Sequence, residues 1–332
     1  MSRVTLAHGA GGRETRELVE RVFLRELDNP ILRRAEDAAV IPPARLAVST
    51  DGFTVSPLFF AGGDIGKLAV AGSCNDVAMM GAKPRYLSAS FIIEEGFLLA
   101  ELEHIARSFA DELKKNGAEL ISADTKVVPR GKADGLFITT TALGEVQKEG
   151  LSPANLQAGD FILASGTSGD HGAAIFAARE GIELQGDLKS DCASLWPLVD
   201  RLLKAELPIL ALRDATRGGL AAVLNEWAIS ANQPITVNQP DIPVRREVQG
   251  ACELMGFEPY SLANEGMMIV AVRGREAALK ACDLMQNHAL GANAALIGEV
   301  TGKYAGRVAL KTAHGTARFL DMPSGELLPR IC

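Results

Sequence analysis

Residues 86–93, Tyr-Leu-Ser-Ala-Ser-Phe-Ile-Ile, open the passage that decides the fold. They form a short, mostly apolar run with the aromatics Tyr86 and Phe91 and the β-branched pair Ile92-Ile93, which reads as a strand. Residues 98–116, LLAELEHIARSFADELKKN, follow with helical periodicity and end at Gly117, where a C-cap glycine belongs. Residues 119–123, ELISA, then read as a second strand. Strand, helix and strand in this order define an αβ unit rather than an all-β or all-α chain. Working outward, residues 45–50 and 136–143 read as further strands and residues 66–81 as a helix.

A polar stretch over residues 145–160 holds Gly150, Pro153 and Gly159 and reads as a linker. A second αβ set follows, with strands over 161–165, 208–212, 267–272 and 294–300, and helices over 171–179, 219–230 and 276–286. The expected fold class is therefore α/β (α+β) with two αβ domains, 1–150 and 151–318, and a tail over 319–332.

Composition narrows the function. The 332 residues are 47% hydrophobic and 23% charged, which suits a globular chain long enough for two domains. A net charge of −7 disfavours nucleic acid and anionic membrane as partners. No apolar run approaches the roughly 20 residues of a bilayer span, and charges at Arg3, Arg13 and Glu14 interrupt any leader, so a cytoplasmic location is expected. The five cysteines at 74, 192, 252, 282 and 332 form no CxxC pair, which argues against a disulfide framework or a zinc knuckle.

Four acidic motifs fall at strand ends and helix starts: Glu36-Asp37, Thr50-Asp51-Gly52, Asn75-Asp76 and Asp124-Thr125-Lys126. Any one Asp there is ordinarily a cap or a turn residue. Four in one domain suit a hard divalent cation, which takes several oxygen ligands and shares them with phosphates. Two glycine-rich segments, 8–12 and 165–172, can bring backbone N–H groups to an anion, although neither is a dinucleotide fingerprint. The segment ending in Gly66-Lys67-Leu68 imitates a P-loop but lacks its first glycine and its metal-binding hydroxyl. Arg213-Asp214-Ala215-Thr216-Arg217-Gly218-Gly219 stands between strand and helix, either as a phosphate clamp or as a capped helix start. Glu265, in Asn264-Glu265-Gly266, is either a general base or solvated surface. His8 and His171 are ligand-contact candidates without metal-ligand spacing.

The chain ends on Cys332, behind Pro323, Gly325 and Pro329. By itself a terminal cysteine reads as part of a frayed end. The prolines also favour an extended arm, which at about 3.3 Å per residue reaches on the order of 30 Å.

These motifs in this order resemble the HypE family of hydrogenase maturation factors, within the ATP-binding superfamily of aminoimidazole ribonucleotide synthetase and selenophosphate synthetase. HGAGG (8–12), STDG (49–52), NDVAMMGA (75–82), DTKVV (124–128), SGTSGDHG (165–172), RDATRGG (213–219), NEG (264–266) and the terminal PRIC (329–332) carry the resemblance along the whole chain. It implies a homodimer whose N-terminal domains pair into a β-barrel beside the ATP clefts. It also implies that HypF carbamoylates Cys332, that ATP-dependent dehydration turns the thiocarbamate into a thiocyanate, and that the cyano group passes to iron on a HypC–HypD complex. By motif position, Asp37, Asp51, Asp76 and Asp124 would hold Mg²⁺–ATP. Lys67, Asn75, Thr125, Arg217, Gly218 and Asn264 would line the nucleotide, with Lys126 near the phosphates and Glu265 as base near the tail. An ATP-dependent synthetase or kinase acting on a free substrate, and a non-catalytic carrier, are the rival readings.

Overall fold

The computed structural model describes the chain except residues 1–6, 8–11, 24–28, 35, 42–43, 183–185, 326–327 and 329; the expectations for His8 and Pro329 lie outside the described residues. After a short helix α1 (Arg13–Leu18), the N-terminal domain contains β1 (Ala39–Ile41), β2 (Leu46–Phe53), a ribbon of β3 (Phe59–Phe60) and β4 (Gly63–Asp64), and helix α2 (Ile65–Met79). It continues through β5 (Ala82–Glu94), α3 (Leu99–Asn116), β6 (Glu119–Val128) and β7 (Leu136–Val146). The main sheet has the order β1-β2-β7-β5-β6, with β5 and β6 parallel and the other neighbours antiparallel. A parallel pair needs a crossover, and α3 supplies it. Gly117 closes that helix in the left-handed region (φ 64°), as the sequence predicts.

Helix α2 is buried on nearly every side, because small residues let neighbours close in. A Cβ on Gly72 would sit 2.8 Å from the Phe53 ring, and one on Gly66 would sit 2.4 Å from the Ile105 carbonyl. Asp64 caps the helix by accepting from the Gly66 and Lys67 N–H groups. Strand β6 is the opposite case. It forms the sheet edge, and residues 119–127 are all exposed.

The C-terminal domain runs through β8 (Asp160–Ala164), α4 (Asp170–Glu180), α5 (Trp196–Lys204), β9 (Ile209–Asp214) and α6 (Gly219–Ala231). Then come β10 (Ile235–Asn238), α7 (Arg246–Met255), β11 (Met268–Arg273), α8 (Arg275–Gln286), β12 (Ala295–Glu299), β13 (Val308–Lys311) and β14 (Ala317–Phe319). Its sheet order is β14-β13-β10-β12-β8-β11-β9. One core packs Trp196, Leu198, Val199, Leu202, Ala278 and Met285 beneath the sheet, and another packs Leu220, Leu224 and Trp227 against its other side. The first core also takes in Ala78 and Met79, so α2 joins the two domains.

The nine-residue α5, the four-residue β10 and the strands β13 and β14 go beyond the sequence reading, because segments this short carry too few periodic positions to declare themselves. Phe319 and Leu320 belong to the sheet body: Leu320 is buried, and its N–H donates to the Val308 carbonyl. Among the described residues, no helix is long and apolar enough to cross a membrane.

Candidate active site

Strand ends, loops and the C-terminal half of α2 enclose a cavity of about 300 Å³ between residues of both domains, lined by Asp37, Asp51, Asp76, Arg213, Asp214, Arg217, Glu265 and Cys332, among others. Each acid arrives from a different element. Asp37 precedes β1, Asp51 lies on β2 opposite Thr140 of β7, Asp76 is in α2, and Asp214 ends β9. Asp37, Asp76 and Asp214 each present an oxygen within 4.8 Å of the other two. Ser49 Oγ donates to Asp76 at 2.5 Å, and Arg213 holds Asp37 at 2.6 Å and Glu226 at 3.1 Å.

Burial and mutual repulsion raise the proton affinity of this cluster. Burial raises Asp76 well above the usual carboxylate range, and Asp51, Asp214 and Asp37 add to the effect. Burial likewise raises Asp37, against the pull of Arg213. Asp214 is pushed up to about 6 by burial, although Arg213 opposes the shift. Three crowded carboxylates, with an Asp214 Oδ2 that has no hydrogen-bond partner among the described residues, make a donor set that fits a hard, oxygen-seeking cation.

Glu265 is 2% exposed, and its Oε1 has no hydrogen-bond partner among the described residues. Burial, then Asp214 and Asp191, push its pKa well up, while Arg217 pulls it down. Its backbone is held from behind. Asp191 accepts from the N–H groups of Glu265 (3.0 Å) and Gly266 (3.1 Å) and from the Asn264 amide (2.8 Å). Gly266 is obligatory at this approach, because a Cβ would lie 1.9 Å from the Asp191 carbonyl. Asp191 was not anticipated: it sits in a polar stretch with no glycine or second acid beside it to mark it. Asp214 stands in a segment whose sequence leaves open a phosphate clamp or a helix start capped by Asp214 or Thr216, and its place in the trio is visible only once the two domains meet.

The tail is docked, not frayed. The Thr54 N–H and hydroxyl both donate to the terminal Cys332 oxygen, at 2.9 and 3.2 Å. The Ser56 N–H and Arg179 hold the Arg330 carbonyl, and Arg330 in turn donates to the Thr54 carbonyl and pairs with Asp134. Ile331 is buried in the N-terminal core. Burial, reinforced by Glu265 and opposed by Arg217, pushes the Cys332 thiol up to about 12.

Several expected site residues lie elsewhere. Lys67 does not face the cavity; its Nζ donates to the Gly62 carbonyl, and it lines a separate cleft with Asp64 and His104. Asn75 is buried and stitches the domains together, donating to the Ala193 carbonyl and accepting from the Leu195 N–H. Asn264 holds the Gly169 N–H and the Thr167 carbonyl, so it positions Glu265 rather than pointing into the cavity. Gly218 takes φ 77° at the start of α6, a conformation that suits glycine. Asp124, Thr125 and Lys126 lie on exposed β6, with Asp124 and Lys126 paired at 2.7 Å. Within one chain β7 and β5 separate them from β2 and its Asp51, so they do not join the cluster.

Two αβ domains clasping an acidic cavity define a class, and the known proteins place the chain in it. The profile for the AIR synthase related protein N-terminal domain matches residues 35–146, and that for the C-terminal domain matches residues 157–311. Carbamoyl dehydratase HypE of Rhodobacter capsulatus is 44% identical, covering 99% of this chain and 98% of the relative. A HypE–HypF complex structure contains a chain 43% identical, with TM-score 0.87, covering 92% of this chain and 99% of its own. A HypE structure in complex with ATP is 43% identical with TM-score 0.84, covering 99% and 100%. The chain belongs to the AIR synthase related family and, within it, to the HypE carbamoyl dehydratases.

Proposed function

We propose that this chain is an ATP-dependent carbamoyl dehydratase of hydrogenase maturation that acts on its own C-terminus, turning an S-carbamoyl group on Cys332 into a thiocyanate. The observation that carries this reading is the docked tail: Cys332 lines the same cavity as the aspartates, Arg217 and Glu265. The relatives' names and the ATP complex point the same way.

Asp37, Asp76 and Asp214, with Asp51 beside them, are the residues to hold Mg²⁺ and the nucleotide phosphates. Bound Mg²⁺–ATP supplies the phosphoryl group that makes the carbamoyl oxygen a leaving group. Arg217, which lines the cavity with Cys332, places a positive charge where negative charge develops. Glu265 takes the N–H proton, and burial, which raises its pKa, increases its affinity for that proton. The docked thiol is held protonated, so carbamoylation requires the tail to leave the cavity and present Cys332 to a donor enzyme. HypF is that partner by analogy with the HypE–HypF complex, and a HypC–HypD acceptor of the cyano group is part of the same reading, as is a cytoplasmic location.

A homodimer completes the proposal. Leu120, Ile121 and Val127 are 40%, 58% and 67% exposed on an open edge strand, an arrangement that calls for cover. Pairing through β6 would bring Asp124, Thr125 and Lys126 to the partner's nucleotide cleft.

Intact mass of the carbamoylated protein given Mg²⁺ and ATP tests the reaction: Cys332 should lose about 18 Da, one water. Glu265→Gln should keep ATP binding and lose that step by at least roughly a hundredfold; an undiminished rate would remove Glu265 as the base.

A further inference from the structure

His171 stands in a glycine-rich loop at the start of α4 and is fully buried, with its ring edge against Phe60. Its Nε2 lies 2.7 Å from the Ile331 carbonyl oxygen, and its Nδ1 lies 2.7 Å from Ser190 Oγ. A carbonyl can only accept, so Nε2 carries the proton. The Cys192 N–H donates to Ser190 Oγ at 3.0 Å, and the hydroxyl hydrogen can turn to Nδ1. Burial disfavours the charged ring, so the neutral imidazole protonated at Nε2 satisfies every partner.

We propose that His171 is a positioning residue that clamps the Ile331 carbonyl and thereby aims Cys332 Sγ for dehydration. The proposal rests on the reading that Cys332 carries the reacting group. The Ile331–Cys332 peptide is planar, so fixing its carbonyl fixes the plane from which Cys332 departs. Thr54 fixes the far end of the same residue through the terminal carboxylate. Between the two anchors, little beyond the Cys332 χ1 remains to move the sulfur. Thr54 belongs to the N-terminal domain and His171 to the C-terminal domain, so the sulfur is located relative to both walls of the cavity. The buried Ile331 side chain supplies apolar affinity but little orientation; the His171 hydrogen bond supplies direction.

The test uses the full chain in a Cys282→Ser background, which removes the one other cysteine that is not buried. Three quantities are measured: alkylation of Cys332 without nucleotide, single-turnover water loss from the carbamoylated tail, and Mg²⁺–ATP affinity. His171→Leu should label roughly tenfold faster, equivalent to about 1.4 kcal/mol, and dehydrate at least roughly tenfold more slowly, with ATP affinity within about twofold of the parent. His171→Gln keeps an N–H for Ile331 and an acceptor for Ser190, and should restore both rates to within about threefold. Should the Leu variant fail to fold, Ser190→Ala frees the ring to change tautomer and should shift both rates in the same sense by about threefold. Labelling at the parent rate in His171→Leu or Ser190→Ala would overturn the clamp, as would faster labelling with unchanged water loss. A parent that loses no water would overturn the functional reading instead, and the labelling comparison would still judge the clamp.

Discussion

The acidic cavity and the edge strand β6 carry the same kind of motif and do opposite things with it. Asp37, Asp76 and Asp214 are gathered from three elements into one half-dry cluster that raises their pKa values. Asp124 stands in the open beside Lys126, which with the Thr125 backbone lowers its pKa. An Asp beside Thr or Asn at a strand end is a local signal, but whether it becomes a metal ligand or a surface ion pair depends on what the fold brings opposite. The cavity gathers its acids from one chain. Under the proposed pairing, the β6 trio would act at a second copy's cleft.

The cavity half of this contrast predicts the largest effect, and with two signs. Asp76→Asn removes one of several crowded buried charges, so Mg²⁺–ATP affinity should fall by roughly a hundredfold, about 2.7 kcal/mol. The nucleotide-free protein should meanwhile become more stable by about 1–2 kcal/mol at neutral pH, since an acid with a raised pKa opposes folding once ionised. Calorimetric titration and thermal melts read the two quantities separately. A variant that loses affinity and also melts lower would mean that the Ser49–Asp76 hydrogen bond outweighs the repulsion.

Much of this division can be read in the sequence, and the remainder has physical reasons for staying hidden. The αβ alternation and the Gly117 cap follow from local pattern. The gathering of Asp37, Asp51, Asp76, Arg217 and Glu265 at the nucleotide and tail is what the family resemblance implies; Asp124, implied with them, lies on the exposed edge strand. The resemblance places Lys67 and Asn75 at the nucleotide by motif position alone. Helix geometry points adjacent side chains in different directions, so Asn75 binds the second domain while Asp76 faces the cavity. Asp191 stayed invisible because its work is to hold three N–H groups that lie more than 70 residues away.

The edge-strand half makes a prediction of medium size. Lys126→Ala should lower dehydration by about tenfold to a hundredfold if β6 reaches the partner's site. Mixed with Asp51→Asn, which is defective in the cavity itself, it should recover part of the lost activity, because one heterodimer site would then hold both intact residues. Asp51→Asn mixed with Asp76→Asn should recover none, since both belong to the same chain's cavity. Recovery in the second mixture, or its absence in the first when dimers exchange, would erase the distinction drawn between the two regions.

The smallest effect compares a buried acid outside the cluster with the exposed one. Asp170 is the first residue of α4, accepts from Thr167 and Arg245, and is pushed up to about 6, chiefly by burial. The folded state therefore holds its proton more tightly than the unfolded chain. Its ionisation costs stability progressively as pH rises from about 4 to about 6, and by pH 7 the cost has levelled off at roughly 2–3 kcal/mol. Asp170→Asn should flatten that part of the stability–pH profile. Asp124 has the opposite shift, but it lies in solvent, where salt screens its pairing with Lys126, so Asp124→Asn should leave the profile unchanged within error. Urea melts at half-unit steps between pH 4 and 7 measure both slopes. Equal slopes for the two variants would show that burial in the folded chain is not what separates these acids.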